Sequence, residues 1–264
     1  RQRQMCIRDR LTCVGLCWSS CTNEVDEFIG NVEPSTRSVS TALNANLASL
    51  FTGGAPTLTS AEIKEVNDAY AKMTSINCYR NIDEAVRNKT SYAGTIFLDD
   101  TYASAYFRKG SLAFPPYGIL ASSMEHEFIH MYQRDVQGKK VDTDKEKRDT
   151  GMMEFELAFY QGIIRYIHAG YSWTFKGEDG DPSYQSLWTS GLTDPSLIPQ
   201  YEREFQTYVA SICANGKPTS IDINEFVKWS NIFGEYSRGY SGKGYKFGNY
   251  DYGTSCINSL LKLY

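Results

Sequence analysis

The sequence predicts an α+β fold in which a small β-sheet accompanies a predominantly helical body. Two short runs, at 93–100 and 104–114, are rich in β-branched and aromatic residues and are typical of strands. Segments on both sides of these runs carry apolar residues at helical spacing. With 264 residues, of which 41% are apolar, the chain is long enough to bury a substantial core. We expect this fold to occupy residues 41–264 as one domain.

The elements before the strands are predicted to be helices. The first covers 41–51 and ends at a pair of glycines. The second covers about 60–74, with Ser60 as its N-cap and the acidic Glu62 just inside. Together they predict a helical start to the domain.

The second strand run contains the turn signal Lys109-Gly110, which predicts a hairpin. Pro115-Pro116 closes this region and favours a new helix over 117–135. The remaining elements are predicted in the following order: a charged loop at 134–150, an apolar helix at 151–168, an irregular stretch at 169–197, helices at 198–213 and 222–236, a Gly- and Tyr-rich segment, and a short last helix.

Charge and composition exclude several classes of partner. The formal net charge is −4, and no stripe of Lys and Arg is interleaved with aromatic residues, so nucleic acid is not an expected partner. No apolar run approaches the ~18 residues of a membrane-spanning helix. The cysteines after residue 21, at 78, 213 and 256, are too few and too widely spaced for a disulfide framework.

The first forty residues differ from the rest of the chain. Residues 1–10 have no periodicity, and we expect them not to be native. The segment that follows, LTCVGLCWSSC, resembles the end of a bacterial lipoprotein signal peptide, in which the cysteine after small residues is acylated. This resemblance predicts a signal-peptide remnant at 1–20, lipidation at Cys21 and a polar tether at 21–40.

The most informative stretch is SSMEHEFIHMYQ at 122–133, which holds two of the three histidines of the chain. His126 and His130 are four residues apart, so on a helix both imidazoles lie on one face and can reach one metal ion. Glu127 lies beside them, within reach of a metal-bound water. Imidazole ligands suit zinc, and an open coordination position would make the site catalytic.

The third ligand is less clear from the sequence. A third histidine at position 136 would define one class of zinc enzyme, but Val136 stands there. His168 lies at the far end of another predicted helix and favours a surface or capping role. Glu156 falls in the middle of an apolar arc on the 151–168 helix, where a carboxylate needs a partner, and is the first choice. Glu154, on the opposite side, is the substitute.

These residues together resemble the gluzincin-type zinc metallopeptidases, and more closely bacterial lipoprotein metallopeptidases. The resemblance covers about 93–168: a strand pair, the HEFIH helix followed by Met131-Tyr132-Gln133, and a helix with E-x-E. It implies a zincin-like fold with an edge strand that binds peptides, for which 104–114 is the candidate.

The resemblance also implies a function. Zinc would be held by His126, His130 and a glutamate, while Glu127 activates a zinc-bound water to hydrolyse peptide bonds. Four C-terminal tyrosines are candidate donors to the oxyanion: Tyr240, Tyr245, Tyr250 and Tyr252.

The expected substrate is a peptide or protein. The expected location is the bacterial cell envelope, after export, at the outer membrane or cell surface, with a membrane contact only through the lipid. The alternative is a binding lipoprotein of the same fold, at the cell surface, without catalytic activity.

Overall fold

The structure, a computed structural model, describes residues 42–139, 148–168, 174–176, 182–184, 198–213, 216–237 and 240–264. The described residues form two compact units. The first unit contains 42–139 with 262–264, and the second contains the described residues from 148 to 261. The predicted leader and tether, with Cys21, lie outside the described residues.

The first unit begins with helices, as predicted. Helix α1 is Ala45–Leu50 and helix α2 is Ser60–Ser75. The N-cap of α2 is Thr59 and not Ser60, because Thr59 has extended backbone angles and forms a capping box with Glu62. The Thr59 side chain accepts a hydrogen bond from the Glu62 backbone N–H, and the Glu62 carboxylate accepts one from the Thr59 N–H.

Helix α3, Asn77–Lys89, is absent from the sequence prediction. Its buried apolar residues nevertheless recur at helical spacing, at Cys78, Tyr79, Ile82 and Val86. Polar and charged residues fill the remaining positions and dilute the apolar signal. The helix packs against α2 within the unit.

A three-stranded sheet follows, formed by β1 (Ile96–Leu98), β2 (Tyr106–Arg108) and β3 (Ser111–Phe114). The strand order is β1-β3-β2, with β1 parallel and β2 antiparallel to β3. Lys109 and Gly110 connect β2 to β3 with φ angles of 51° and 76°, as a tight hairpin turn requires. The α+β class is thereby confirmed, and β2 lies at an edge of the sheet.

The helix that carries the histidine motif is α4, Ala121–Met131. It begins four residues later than predicted, because an irregular turn separates it from Pro115-Pro116. It continues directly into a π-helical turn at Tyr132–Val136, where the sequence predicts that the charged loop has already begun. Met124, Phe128 and Met131 are fully buried, so this side of α4 faces the core of the first unit.

The second unit is built on α5, Arg148–His168, which begins three residues earlier than predicted. Its other elements are listed here: β4 (Thr174–Lys176), β5 (Pro182–Tyr184), α6 (Ile198–Ile212), α7 (Ile223–Tyr236), a 3₁₀ turn (Tyr250–Tyr252) and α8 (Ser255–Leu261). The antiparallel strands β4 and β5 fall in the stretch predicted to be irregular. Most of that stretch lies outside the described residues.

Aromatic side chains dominate the core of the second unit. Phe155 of α5 packs against Phe226 and Phe233 of α7, with ring centroids 4.9 and 5.7 Å away. Trp229 of α7 packs edge-on against Phe205 of α6. These rings join α5, α6 and α7 and fix the rotation of α5 about its axis.

The expectations about disulfides and about membrane-spanning helices concern the described residues. Cys78, Cys213 and Cys256 are buried thiols, and no disulfide joins them. Among the described helices, none combines the length and apolar character required to span a bilayer.

Candidate metal centre

The two motif histidines present adjacent nitrogens. His126 and His130 lie one turn apart on α4, and both side chains are partly exposed while the opposite side of the helix is buried. Their Nε2 atoms are 3.1 Å apart, and the two rings are nearly perpendicular. This geometry agrees with the predicted pairing of the histidines on one helical face.

Glu127 is buried, with 4% of its surface exposed. Its Oε1 lies 4.0 Å from Nε2 of His126. A buried carboxylate is costly unless other groups stabilise its charge. The structure therefore places an acidic group beside the imidazole of His126.

Gln133, in the π-helical turn, contacts the motif from its C-terminal side. Its Oε1 lies 2.8 Å from Nδ1 of His130, and the residue is fully buried. Gln133 is not among the predicted site residues, although the three-residue spacing from His130 places the two side chains on neighbouring positions of a helix. That spacing is the signal that could have identified the contact.

Glu156, the first choice for the third ligand, is fully buried on α5. The predicted apolar arc around it is present, since Met153, Tyr160 and Ile163 are also buried. The Tyr252 hydroxyl donates a hydrogen bond of 2.8 Å to Oε2 of Glu156. A phenol from the 3₁₀ turn thus partners the carboxylate for which zinc is the expected partner.

Glu154, the substitute, lies two residues before Glu156 on α5 in the second unit, and its side chain is partly exposed. His168 is an exposed residue at the end of α5.

The four candidate tyrosines differ in their surroundings. Tyr240 donates a hydrogen bond of 2.8 Å to Oε2 of Glu154, and Tyr245 packs edge-on against the Tyr240 ring. Burial and the charge of Glu154 raise the pKa of Tyr245 above its ordinary value. Tyr250 is 57% exposed. Tyr240 is therefore the candidate tyrosine bonded to Glu154.

Burial, with the charge of Glu156, raises the pKa of Tyr252 far above its ordinary value. The hydroxyl therefore stays protonated and acts as a hydrogen-bond donor to Glu156. The sequence offers no local signal for this pair, because 96 residues separate its members.

Comparison of the chain with protein-family models, with curated proteins and with solved structures found no match.

Proposed function

We propose that this protein is a zinc-dependent peptidase in which His126, His130 and Glu154 hold the metal and Glu127 is the catalytic base. The observation that carries the proposal is the pair of imidazole Nε2 atoms, 3.1 Å apart, beside the buried Glu127. We prefer Glu154 to Glu156 because Glu156 is fully buried and bonded to Tyr252, whereas Glu154 is partly exposed. The resemblance of HEFIH to the gluzincin motif supports the same assignment.

The side chains present fit a zinc ion. Two ligands at ~2.0–2.1 Å in tetrahedral geometry lie about 3.3 Å from each other. The Nε2 atoms of His126 and His130, at 3.1 Å, are close to that separation. Two imidazoles and a carboxylate also form one of the ligand sets typical of catalytic zinc, with a position left for water or substrate.

The protein residues supply the proton transfers of the proposed reaction. When bound, zinc lowers the pKa of water towards ~7 and polarises a carbonyl group. The Glu127 carboxylate accepts the proton of the attacking water and returns it to the nitrogen of the leaving amine. The partial burial of the site keeps Glu127 out of bulk water, where its charge would be screened.

In this proposal, Tyr240 orients Glu154, the carboxylate ligand. Its hydroxyl donates a hydrogen bond to Oε2 of Glu154 and would orient that carboxylate. Hydrogen-bond partners of this kind orient metal ligands and are costly to remove.

The substrate proposed is an extended peptide that adds to the β2 edge of the sheet. Among the strands that the structure describes, β2 pairs with β3 alone, and α4 contacts β2 within the first unit. An edge strand offers backbone N–H and C=O groups to a peptide, so sequence selectivity would come from neighbouring side chains. Tyr102, which is 50% exposed and packs against Tyr106 of β2, is one such side chain.

Metal analysis of the purified wild type and of Glu127→Gln tests the proposal. We expect one zinc ion per chain in both proteins, because the substitution removes the base and no ligand. Hydrolysis of a mixed-sequence fluorogenic peptide library should fall at least ~100-fold in Glu127→Gln, the lower end of what general acid–base catalysis contributes.

Glu125→Gln, the same change two residues earlier on α4, is the matched control and should keep both zinc and activity. A wild type without bound metal would refute the proposal. A wild type that binds zinc and peptides without turnover would instead favour the alternative of a binding lipoprotein.

A further inference from the structure

The contact between Gln133 and His130 assigns a function to a residue outside the metal-binding group. We propose that Gln133 is a positioning residue that holds His130 in the tautomer with hydrogen on Nδ1, so that Nε2 is its metal-binding atom. The part of this inference that concerns the metal rests on the proposed function. The part that concerns the tautomer rests on the contact alone.

The orientation of the Gln133 amide determines the tautomer of His130. The atom of Gln133 that lies 2.8 Å from Nδ1 of His130 is the carbonyl oxygen Oε1, which can only accept. With the amide in this orientation, Nδ1 carries the hydrogen. In a neutral imidazole the other nitrogen, Nε2, then presents its lone pair, and this is the atom that lies 3.1 Å from Nε2 of His126.

The π-helical turn keeps the Gln133 side chain in place. Gln137 N–H donates to the Tyr132 carbonyl over five residues, and Lys139 N–H donates to the Gln133 carbonyl. A π turn within a helix is uncommon and is often found at functional sites. Since Gln133 is fully buried, its amide cannot turn towards solvent for another partner.

Side chains from the sheet region fix the same turn. Asp135 accepts a hydrogen bond from the Tyr92 hydroxyl and forms two contacts with the Arg134 guanidinium. The guanidinium also lies 4.3 Å above the ring of Phe107 in β2. The turn is thus held by contacts from outside α4.

Gln133→Leu removes the acceptor while keeping a side chain of similar size, and Gln133→Glu keeps an acceptor oxygen at the same reach. In the metal-stripped wild type, two-bond ¹H–¹⁵N spectra should show His130 protonated on Nδ1. We expect Gln133→Leu to lose this preference and Gln133→Glu to retain it.

Zinc affinity, measured by competition with a chelator, should fall 10–100-fold in Gln133→Leu, as is typical when the partner of a histidine ligand is removed. The visible spectrum of the cobalt-substituted protein should change with it. Gln133→Glu should restore both.

Gln137→Leu is the matched control, because it makes the same change in the same segment, where the side-chain amide contacts Tyr132. It should leave the His130 spectrum and the zinc affinity unchanged. The melting temperature of the metal-free proteins separates unfolding from loss of the contact. Should Gln133→Leu fail to fold, the wild-type tautomer and Gln133→Asn, which shortens the side chain, still decide the question.

An unchanged tautomer and zinc affinity in a folded Gln133→Leu would overturn the inference. So would a wild type with hydrogen on Nε2 of His130. If the wild type binds no metal, the proposed function fails, and the tautomer spectra alone then decide whether Gln133 positions His130.

Discussion

Three acidic side chains of the described residues are buried, and their partners differ. Asp83 contacts Arg87 and accepts a hydrogen bond from Tyr70, which is a pairing that neutralises its charge within the core. Glu156 accepts a hydrogen bond from Tyr252. Glu127 lies beside two imidazoles on the same helix. Glu127 is therefore the buried acid to which we assign the proposed catalytic role.

The Tyr252–Glu156 pair gives a prediction about alkaline pH. Because the folded protein raises the pKa of Tyr252, the folded state keeps the phenol proton when the unfolded chain releases it near pH 10. The stabilisation from this proton is fully present below pH ~10 and is lost as the pH rises further, by up to about 1.4 kcal/mol per pH unit.

The free energy of unfolding, measured with urea between pH 8 and 11, should therefore fall less steeply in Tyr252→Phe than in the wild type. Tyr250→Phe, at an exposed tyrosine of the same 3₁₀ turn, is the matched control. Equal slopes for the wild type and Tyr252→Phe would contradict the assigned role of burial.

At the scale of single elements, local patterns predicted most helices to within a few residues. The Lys109-Gly110 signal placed the β2–β3 turn, because both residues must adopt positive φ. The four-residue spacing placed His126 and His130 together, because helical geometry alone determines that contact. The polar residues of α3 concealed a helix whose apolar spacing is nevertheless present.

The carboxylates of α5 show what a local sequence pattern cannot predict. Helical periodicity correctly predicts that Glu156 lies in an apolar arc, but it cannot show which group meets its charge. Tyr252 and Tyr240 reach Glu156 and Glu154 over 96 and 86 residues of sequence. Such contacts depend on how the C-terminal segment packs on α5, which the periodicity of α5 does not encode.

The two faces of α5 therefore give opposite predictions. Glu154 and Glu156 are two residues apart, which separates their side chains by about 200° around the helix. Glu154→Gln should weaken zinc binding by more than ~100-fold, the upper end of the effect of losing a residue bonded to a ligand. Glu156→Gln should keep zinc binding, since the amide oxygen still accepts the Tyr252 hydrogen bond.

Each variant is the matched control of the other, because the same change is made on the same helix. Chelator competition measures the affinities, and circular dichroism checks the fold. The reverse result, in which Glu156→Gln loses zinc and Glu154→Gln retains it, would restore Glu156 as the ligand.

At the scale of the whole molecule, the proposed peptidase is expected to act outside the cytoplasm. The basis is the N-terminal sequence, in which an apolar segment and Ser19-Ser20 precede Cys21. Residues 22–40 are polar and lack both hydrophobic periods, which is typical of a tether between a lipid anchor and a folded body. This organisation would hold the proposed site near a membrane surface of the bacterial cell envelope.

Cys21→Ser tests the anchor. Acylation requires the thiol of Cys21, so the variant, expressed in bacteria behind a complete export signal, should move from the membrane fraction to the soluble fraction. Two acyl chains are needed for stable anchoring, and no other part of the proposed anchor supplies them. Immunoblots of the two fractions measure the distribution, and labelling with a palmitate analogue should be lost at the same time.

Cys78→Ser, at a buried thiol of α3, is the matched control and should remain with the membrane. Membrane association of Cys21→Ser equal to that of the wild type would show that the lipid anchor is wrong, while leaving the proposed chemistry of His126 and Glu127 untouched.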